Sequence, residues 1–510
     1  MVSNNDKSLN SLILLFVALK VGLNLLAMSH FGFQRDELLH LALGDHLDWG
    51  FKEVPPFIAL LARISTTIFG DSIFATRIFS TLAGGLIIWF TGKTVEAIGG
   101  KKFAIALACL TLILSPAFAA SDYLFQPVVF DQLWWLISAY LVIKYLNSSQ
   151  PKYMYLLGVV IGIGLLTKYT MAFFAIAMLL SLLLTNQRRV LWSKHIAIAA
   201  LIAIVIFLPN IFWQFRHHLP LFTHMKNLRE QQLNYIKPSD FIKQQLLVNG
   251  IALFLWLAGL LFLLFTPGLN RYRFMAITFL LVFVFLLEMN GKDYYIFGAY
   301  PMLFAAGGYC FERWLKNKTI RTLALAIFTL PNLVLLPLAL PLLSINQTIA
   351  AFRFVHLAPT WEDQKQHPLS QDYADMFGWD EMGEKVARAY KSLTAEQQKH
   401  TQIFADNYGD AGAVYHYGKP YGLPEVASLN SSFTLWAPDS LNAPYIIYVD
   451  DEGGGNVTGR LAPYVARFIK LDEIKSPYAR EKGTAIYLLI NAKPALNTIY
   501  QKELAKKRLE

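Results

Sequence analysis

The sequence predicts a polytopic α-helical membrane protein that carries a C-terminal α/β domain. Three observations predict it. Apolar blocks of spanning length recur between residues 9 and 345. Charged residues make up only 16% of the 510 residues, where soluble domains carry roughly 25%. The apolar pattern then stops, and residues 349–510 have the mixed composition of a water-exposed domain. The expected division is a transmembrane domain over 1–348 and an α/β domain over 349–510.

A spanning helix needs about 20 apolar residues. Blocks at 9–29, 72–92, 103–120, 128–146, 153–167, 169–185, 195–214, 245–266, 274–290, 294–312 and 322–343 predict about eleven spans. The first block holds Lys20 and lacks a small-residue cleavage site, so it reads as a retained anchor. Residues 153–185 read either as one long tilted helix or as two short ones broken near Thr167-Lys168. Loop charge favours the break. With two helices, Lys93/Lys101/Lys102, Lys144/Lys152, Arg188/Arg189/Lys194, Arg271/Arg273 and Arg313/Lys316/Lys318/Arg321 fall on one side, the cytoplasmic one. The N-terminus is then cytoplasmic and the C-terminal domain extracytoplasmic.

The formal net charge of +10 has the same explanation. Much of the excess lies in short loops, which points to topology and not to nucleic acid. Cys109 and Cys310 both sit in apolar blocks and read as buried small hydrophobes.

The first outer loop, 31–71, is too long for a plain connector. It holds Arg35-Asp36-Glu37, then Asp45-His46-Leu47-Asp48-Trp49, then Lys52-Glu53-Val54-Pro55-Pro56. Charge beside a bilayer is costly and marks function. Leu38, Leu39, Leu41, Ala42 and Leu47 recur at helical spacing, and Pro55-Pro56 opens a second helix through Phe57, Leu60, Leu61 and Ile64. Both read as amphipathic helices lying in the membrane interface.

These features resemble the GT-C glycosyltransferases, and within them glycosyltransferase family 39, the bacterial relatives of protein O-mannosyltransferases and lipid A aminoarabinose transferases. The resemblance rests on Phe33-Gln34-Arg35-Asp36-Glu37, Gly44-Asp45-His46-Leu47-Asp48-Trp49-Gly50 and Pro55-Pro56-Phe57. It continues in Gly164-Leu165-Leu166-Thr167-Lys168-Tyr169, Pro209-Asn210-Ile211-Phe212-Trp213-Gln214 and Gly291-Lys292-Asp293-Tyr294-Tyr295. It extends more loosely into Tyr373-Ala374-Asp375-Met376-Phe377-Gly378-Trp379 and Asp406-Asn407-Tyr408-Gly409-Asp410-Ala411-Gly412. The resemblance implies a GT-C fold, a polyprenyl-phosphate sugar donor and transfer with inversion. The acceptor is a hydroxyl on a lipid, glycan or protein.

Such a reaction needs a carboxylate to take the acceptor proton. It also needs cations to offset charge growing on the leaving phosphate. Asp36 is the candidate base, since the resemblance places the catalytic acid at this point of the first loop. Glu37 is the adjacent alternative, although neighbours on a helix point about 100° apart. Asp131, at the outer end of the fourth block, is the candidate second acid, with Asp122 its neighbour; a plain helix cap is the alternative. Lys168 is the first candidate for the donor phosphate. Arg216 and His217 lead a basic outer loop that also holds His218, His224, Lys226, Arg229, Lys237 and Lys243, and Lys292 may be added to them. Glu53 is a candidate for the sugar or a metal. No His-x-x-x-His or paired-Cys spacing occurs, so no cofactor is certain; a divalent metal held by Asp36, Glu53 and His217 is the possibility left open.

In the C-terminal segment, strands are expected at 402–405, 445–449 and 485–490, a helix over 379–393 and another from Asn407. The rival reading for the whole chain is a transporter or flippase of lipid-linked sugars. Internal repeats and mid-membrane charge would favour it; the charges here instead cluster toward one surface.

Overall fold

The structure is a computed structural model, and it describes residues 4–28 and 30–509. The chain divides into two compact units. One comprises Met1–His30, Arg77–Phe212 and Met225–Ser344; the other comprises Phe31–Thr76, Trp213–His224 and Ile345–Glu510.

The first unit is helical. Helices Lys7–Ala27, Ile73–Ala97, Lys194–Arg216, Pro267–Glu288 and Lys318–Ala339 are long and apolar enough to cross a membrane; Ile73–Ala97 and Lys194–Arg216 run on into the second unit. A sixth span results if Pro238–Leu247 and Gly250–Phe265, bent by 100° at their junction, count as one. Several of the expected blocks are shorter helices, among them Lys102–Leu114, Lys152–Thr167 and Thr170–Leu183. The break near Thr167-Lys168 is present. Lys168 has an extended backbone (φ −159°, ψ 137°) that ends one helix before the next begins at Thr170.

One buried pair of charges lies inside this unit. Lys20 lies 3.2 Å from Asp122, and both side chains are fully buried. Lys20 also donates to the Phe118 carbonyl at 3.1 Å, and Asn24 donates to the Asp122 carbonyl at 3.0 Å. An apolar span tolerates Lys20 because its partner and acceptor are built in. Asp122 is thereby engaged in a structural ion pair.

The second unit is α/β. Strands β1 (Thr401–Ala405), β2 (Val426–Ala427), β3 (Tyr445–Asp450), β4 (Val465–Glu473) and β5 (Ala485–Ala492) form one sheet in the order β2-β1-β3-β5-β4. β1 pairs in parallel with β2 and β3, while β5 is antiparallel to β3 and β4. Alternation splits the strands' side chains between two faces. Phe404, Ile446, Tyr448, Tyr487 and Leu489 share a core with Leu496, Tyr500 and Leu504, which recur every four residues along helix Pro494–Leu509. Helix Trp379–Lys391 packs against helix Tyr408–Gly418 and against β3 and β5.

The first outer loop belongs to this unit. It forms helices Arg35–Asp45 and Phe57–Phe69, as its spacing predicts. The first is enclosed by protein. Every residue from Glu37 to Gly44 is buried, and the helix packs against Phe57–Phe69 and Tyr408–Gly418. Apolar residues at helical spacing serve a protein neighbour as well as a lipid surface, so periodicity alone does not separate the two.

Candidate active site

The candidate residues fall into two constellations, one in each unit. In the α/β unit, Gln34 caps helix Arg35–Asp45. The Glu37 carboxylate returns the bond to the Gln34 N–H at 2.8 Å, which completes a capping box. Glu37 is thus buried and tied into the helix start, whereas Asp36, one residue earlier, is only half-buried. Asp36 Oδ1 accepts a hydrogen bond from the Tyr408 hydroxyl at 2.8 Å. The Arg35 guanidinium lies over the Tyr408 ring, 4.4 Å from its centre. Tyr408 is the first residue of helix Tyr408–Gly418, which Asn407 caps by accepting from the Asp410 N–H at 2.9 Å.

Two glycines let the helices meet. A Cβ on Gly412 would come within 3.0 Å of Leu38, and one on Gly409 within 2.6 Å of Arg35 Nε. The Asp375 carbonyl accepts from the Arg35 N–H at 3.1 Å, and the Asp375 carboxylate pairs with Arg480 at 3.3 Å. Burial pushes the Asp375 carboxyl up to about 7, against the pull of Arg480 and Arg35.

The other acids of the loop are held as firmly. Glu53 accepts from the Ser431 hydroxyl and from the Ser432 hydroxyl, the latter at 2.5 Å. Asp45 binds Lys419 at 2.5 Å, Arg63 at 3.0 Å and the Tyr415 hydroxyl at 3.1 Å. Against the upward push of burial, Lys419 and these partners hold its carboxyl below the usual range. Asp48 accepts from the Trp213 indole at 2.7 Å. His217 stacks on Trp213 and bonds its carbonyl at 2.9 Å. Arg216 is exposed.

The metal possibility is corrected in its details. Among the described residues, Asp406, Asp450 and Asp451 are the one group of three whose ligand atoms come within 4.8 Å of one another; Asp36, Glu53 and His217 form no such group. Glu53 and His217 face hydroxyl and carbonyl partners instead. Protein donors also serve the aspartate group. Tyr448 and Asn456 donate to Asp406, and the Val457 N–H donates to Asp450 at 2.9 Å.

In the helical unit, Asp131, Lys168 and Lys292 come together. Asp131 is buried in helix Pro127–Ser148, and its Oδ2 accepts from Thr170 at 2.6 Å. Thr170 opens the helix that follows the break, so the acid is tied to the segment that carries Lys168. The Lys168 ammonium lies over the rings of Tyr294 and Tyr295, at 4.9 and 4.8 Å. It is attracted by Asp131 and repelled by Lys292. An ammonium on two aromatic faces beside a second lysine is a cationic site with an apolar floor.

Sequence reasoning missed the partners: Tyr408 for Asp36, the Ser431-Ser432 hydroxyls for Glu53, Trp213 for Asp48 and Thr170 for Asp131. Tyr408 and Trp213 lie inside motifs that carry the family resemblance, which was the available signal.

Similar proteins are found by sequence and by fold. A sequence profile of the dolichyl-phosphate-mannose-protein mannosyltransferase family matches residues 53–213. A lipid A galacturonosyltransferase of Rhizobium johnstonii, RgtD, is 26% identical over 43% of this chain and 47% of its own length. The lipopolysaccharide core galacturonosyltransferase RgtB of the same organism is 28% identical over 40% of this chain and 41% of its own. The chain thus spans under half the length of the curated relatives it matches.

Fold similarity extends further. The crystal structure of ArnT from Cupriavidus metallidurans bound to undecaprenyl phosphate superposes with a TM-score of 0.64 at 14% identity, over 94% of this chain and 97% of that one. The archaeal oligosaccharyltransferase AglB from Archaeoglobus fulgidus, in complex with an inhibitory peptide and a dolichol-phosphate, gives 0.52 at 12% identity, over 89% and 70%. The chain thus shares the GT-C fold of these structures, and over part of its length it is similar in sequence to membrane glycosyltransferases.

Proposed function

We propose that the chain is an inverting glycosyltransferase that moves a sugar from a polyprenyl-phosphate donor to a hydroxyl acceptor at the extracytoplasmic face of a bacterial inner membrane. The acceptor hydroxyl attacks the anomeric carbon, and the bond from that carbon to the phosphate oxygen breaks. Asp36 takes the hydroxyl proton. Lys168 and Lys292 offset the charge left on the polyprenyl phosphate. Asp131 holds the segment that carries Lys168. The lipid A and lipopolysaccharide core specificities named for two relatives favour a glycolipid acceptor over a protein.

The observation that carries the reading is Asp36 itself. It is a half-buried carboxylate on the first turn of an otherwise buried helix, and a hydroxyl bond holds it in one orientation.

The test is Asp36→Asn, assayed for transfer from an undecaprenyl-phosphate sugar in membranes of a deletion strain. Transfer is expected to fall at least about 10²-fold, with donor binding and expression retained. Wild-type transfer by this variant rejects the base. Sugar-lipid translocation without transfer replaces the enzyme reading with a flippase. Mass spectrometry of envelope lipids from the deletion strain identifies the sugar and the acceptor.

A further inference from the structure

We propose that Tyr408 is a positioning residue for the reaction: its hydroxyl fixes the orientation of the Asp36 carboxylate, so the α/β unit supplies part of the proton-accepting apparatus. The inference rests on Asp36 being the base.

The two residues are 372 positions apart, yet their oxygens are 2.8 Å apart. The contact is built from both sides. On the Tyr408 side, the Asn407 cap sets the helix start, and Tyr408 is its first residue. On the Asp36 side, Arg35 lies over the phenol ring, and its N–H is anchored on the Asp375 carbonyl. The glycines at 409 and 412 allow the helices to approach closely enough. A phenol hydroxyl has one proton to donate, and Asp36 Oδ1 receives it. Burial and the charge of Asp36 hold the phenol neutral, well above the usual tyrosine range, so it remains a donor at neutral pH.

A hydrogen bond to a carboxylate stabilises the charged form and fixes its rotamer. A fixed rotamer aims the base before the acceptor arrives. The other charged groups around the pair are Arg35, Asp375 with Arg480, Asp410 and Glu481.

The experiment measures kcat, the donor KM and Tm for full-length protein in nanodiscs with an undecaprenyl-phosphate sugar. Wild type, Tyr408→Phe and Asp36→Asn are compared. Tyr408→Phe keeps the ring beneath Arg35 and removes only the donor. Its kcat at neutral pH is expected to fall about tenfold, with KM for the donor and Tm unchanged. Introducing 3-fluorotyrosine at 408, which keeps the donor, is expected to retain wild-type kcat.

A Tyr408→Phe kcat equal to wild type, while Asp36→Asn is inactive, overturns the role of Tyr408 and leaves the base intact. So does a loss of activity that comes with a lower Tm. An active Asp36→Asn removes the base reading itself.

Discussion

The two units hold their candidate groups in different settings. In the helical unit, two buried lysines meet a counter-charge or an aromatic face: Lys20 finds Asp122, and Lys168 lies on Tyr294 and Tyr295. In the α/β unit, three carboxylates accept from hydroxyls, Tyr408 on Asp36, Ser431 and Ser432 on Glu53 and Tyr448 on Asp406, while Asp45 and Asp375 also meet cations. The difference follows from solvation. A lone charge among apolar helices has no water to fall back on, so only a counter-charge or a π-face makes it tolerable. In the α/β unit, hydroxyls and backbone N–H groups are plentiful, and they orient a carboxylate without neutralising it. A base that must accept a proton suits the second setting. A cation that must meet a phosphate suits the first.

The largest effect should come from breaking the ion pair. Lys20→Met leaves Asp122 buried and uncompensated, and should cost about 3–5 kcal/mol of stability. Lys20→Met with Asp122→Leu should recover most of it. Thermal unfolding in detergent micelles reads both, and a single variant as stable as wild type would break the comparison.

Next is Lys168→Met, which keeps the length and removes the charge. It should lower kcat by about 10²-fold and weaken undecaprenyl-phosphate binding, whereas Asp36→Asn should leave that binding unchanged. Equal binding defects in the two variants would erase the division of labour.

A smaller effect should appear with pH. The Asp375 carboxyl titrates at about 7 when folded and near 3.9 when unfolded. The folded state therefore holds the extra proton between those values, and its stability declines as pH rises from about 4 to 7. Between pH 5 and 8 the contribution is on the order of 2 kcal/mol, and Asp375→Asn should flatten the stability–pH curve by that amount.

The smallest is Ser432→Ala, which removes one of two hydroxyls on Glu53. It should cost about 1.5 kcal/mol, measured by urea unfolding followed through the α/β unit.

Elements with a local signal were legible in the sequence. The break before Lys168 followed from loop charge alone. β1, β3 and β5 were visible as short apolar runs, and helix Tyr408–Gly418 was announced by its cap. β4 was not, because it is an edge strand whose residues are mostly exposed and often charged, so it lacks a buried alternation. Helix Pro494–Leu509 was missed for a related reason: Leu496, Tyr500 and Leu504 are a thin stripe among lysines and polar residues. In the site, Asp36 was legible because acids beside a membrane segment are rare. Its partner was not, since no periodicity links residues 372 positions apart. Glu37 looked equivalent to Asp36 until the capping box separated them; the box uses Gln34 as its cap, where Ser or Thr is the recognisable form.

The glycines at 409 and 412 carry one further consequence. The aim of the acid is set by atoms that are missing. A methyl group at 412 would press on Leu38 and its backbone, and the helices would give by some tenths of an ångström; one at 409 would displace the Arg35 side chain that lies over Tyr408. Alanine at 412 would leave every charged and hydroxylated side chain intact and still shift the Tyr408–Asp36 contact, so a survey of polar positions alone would overlook it.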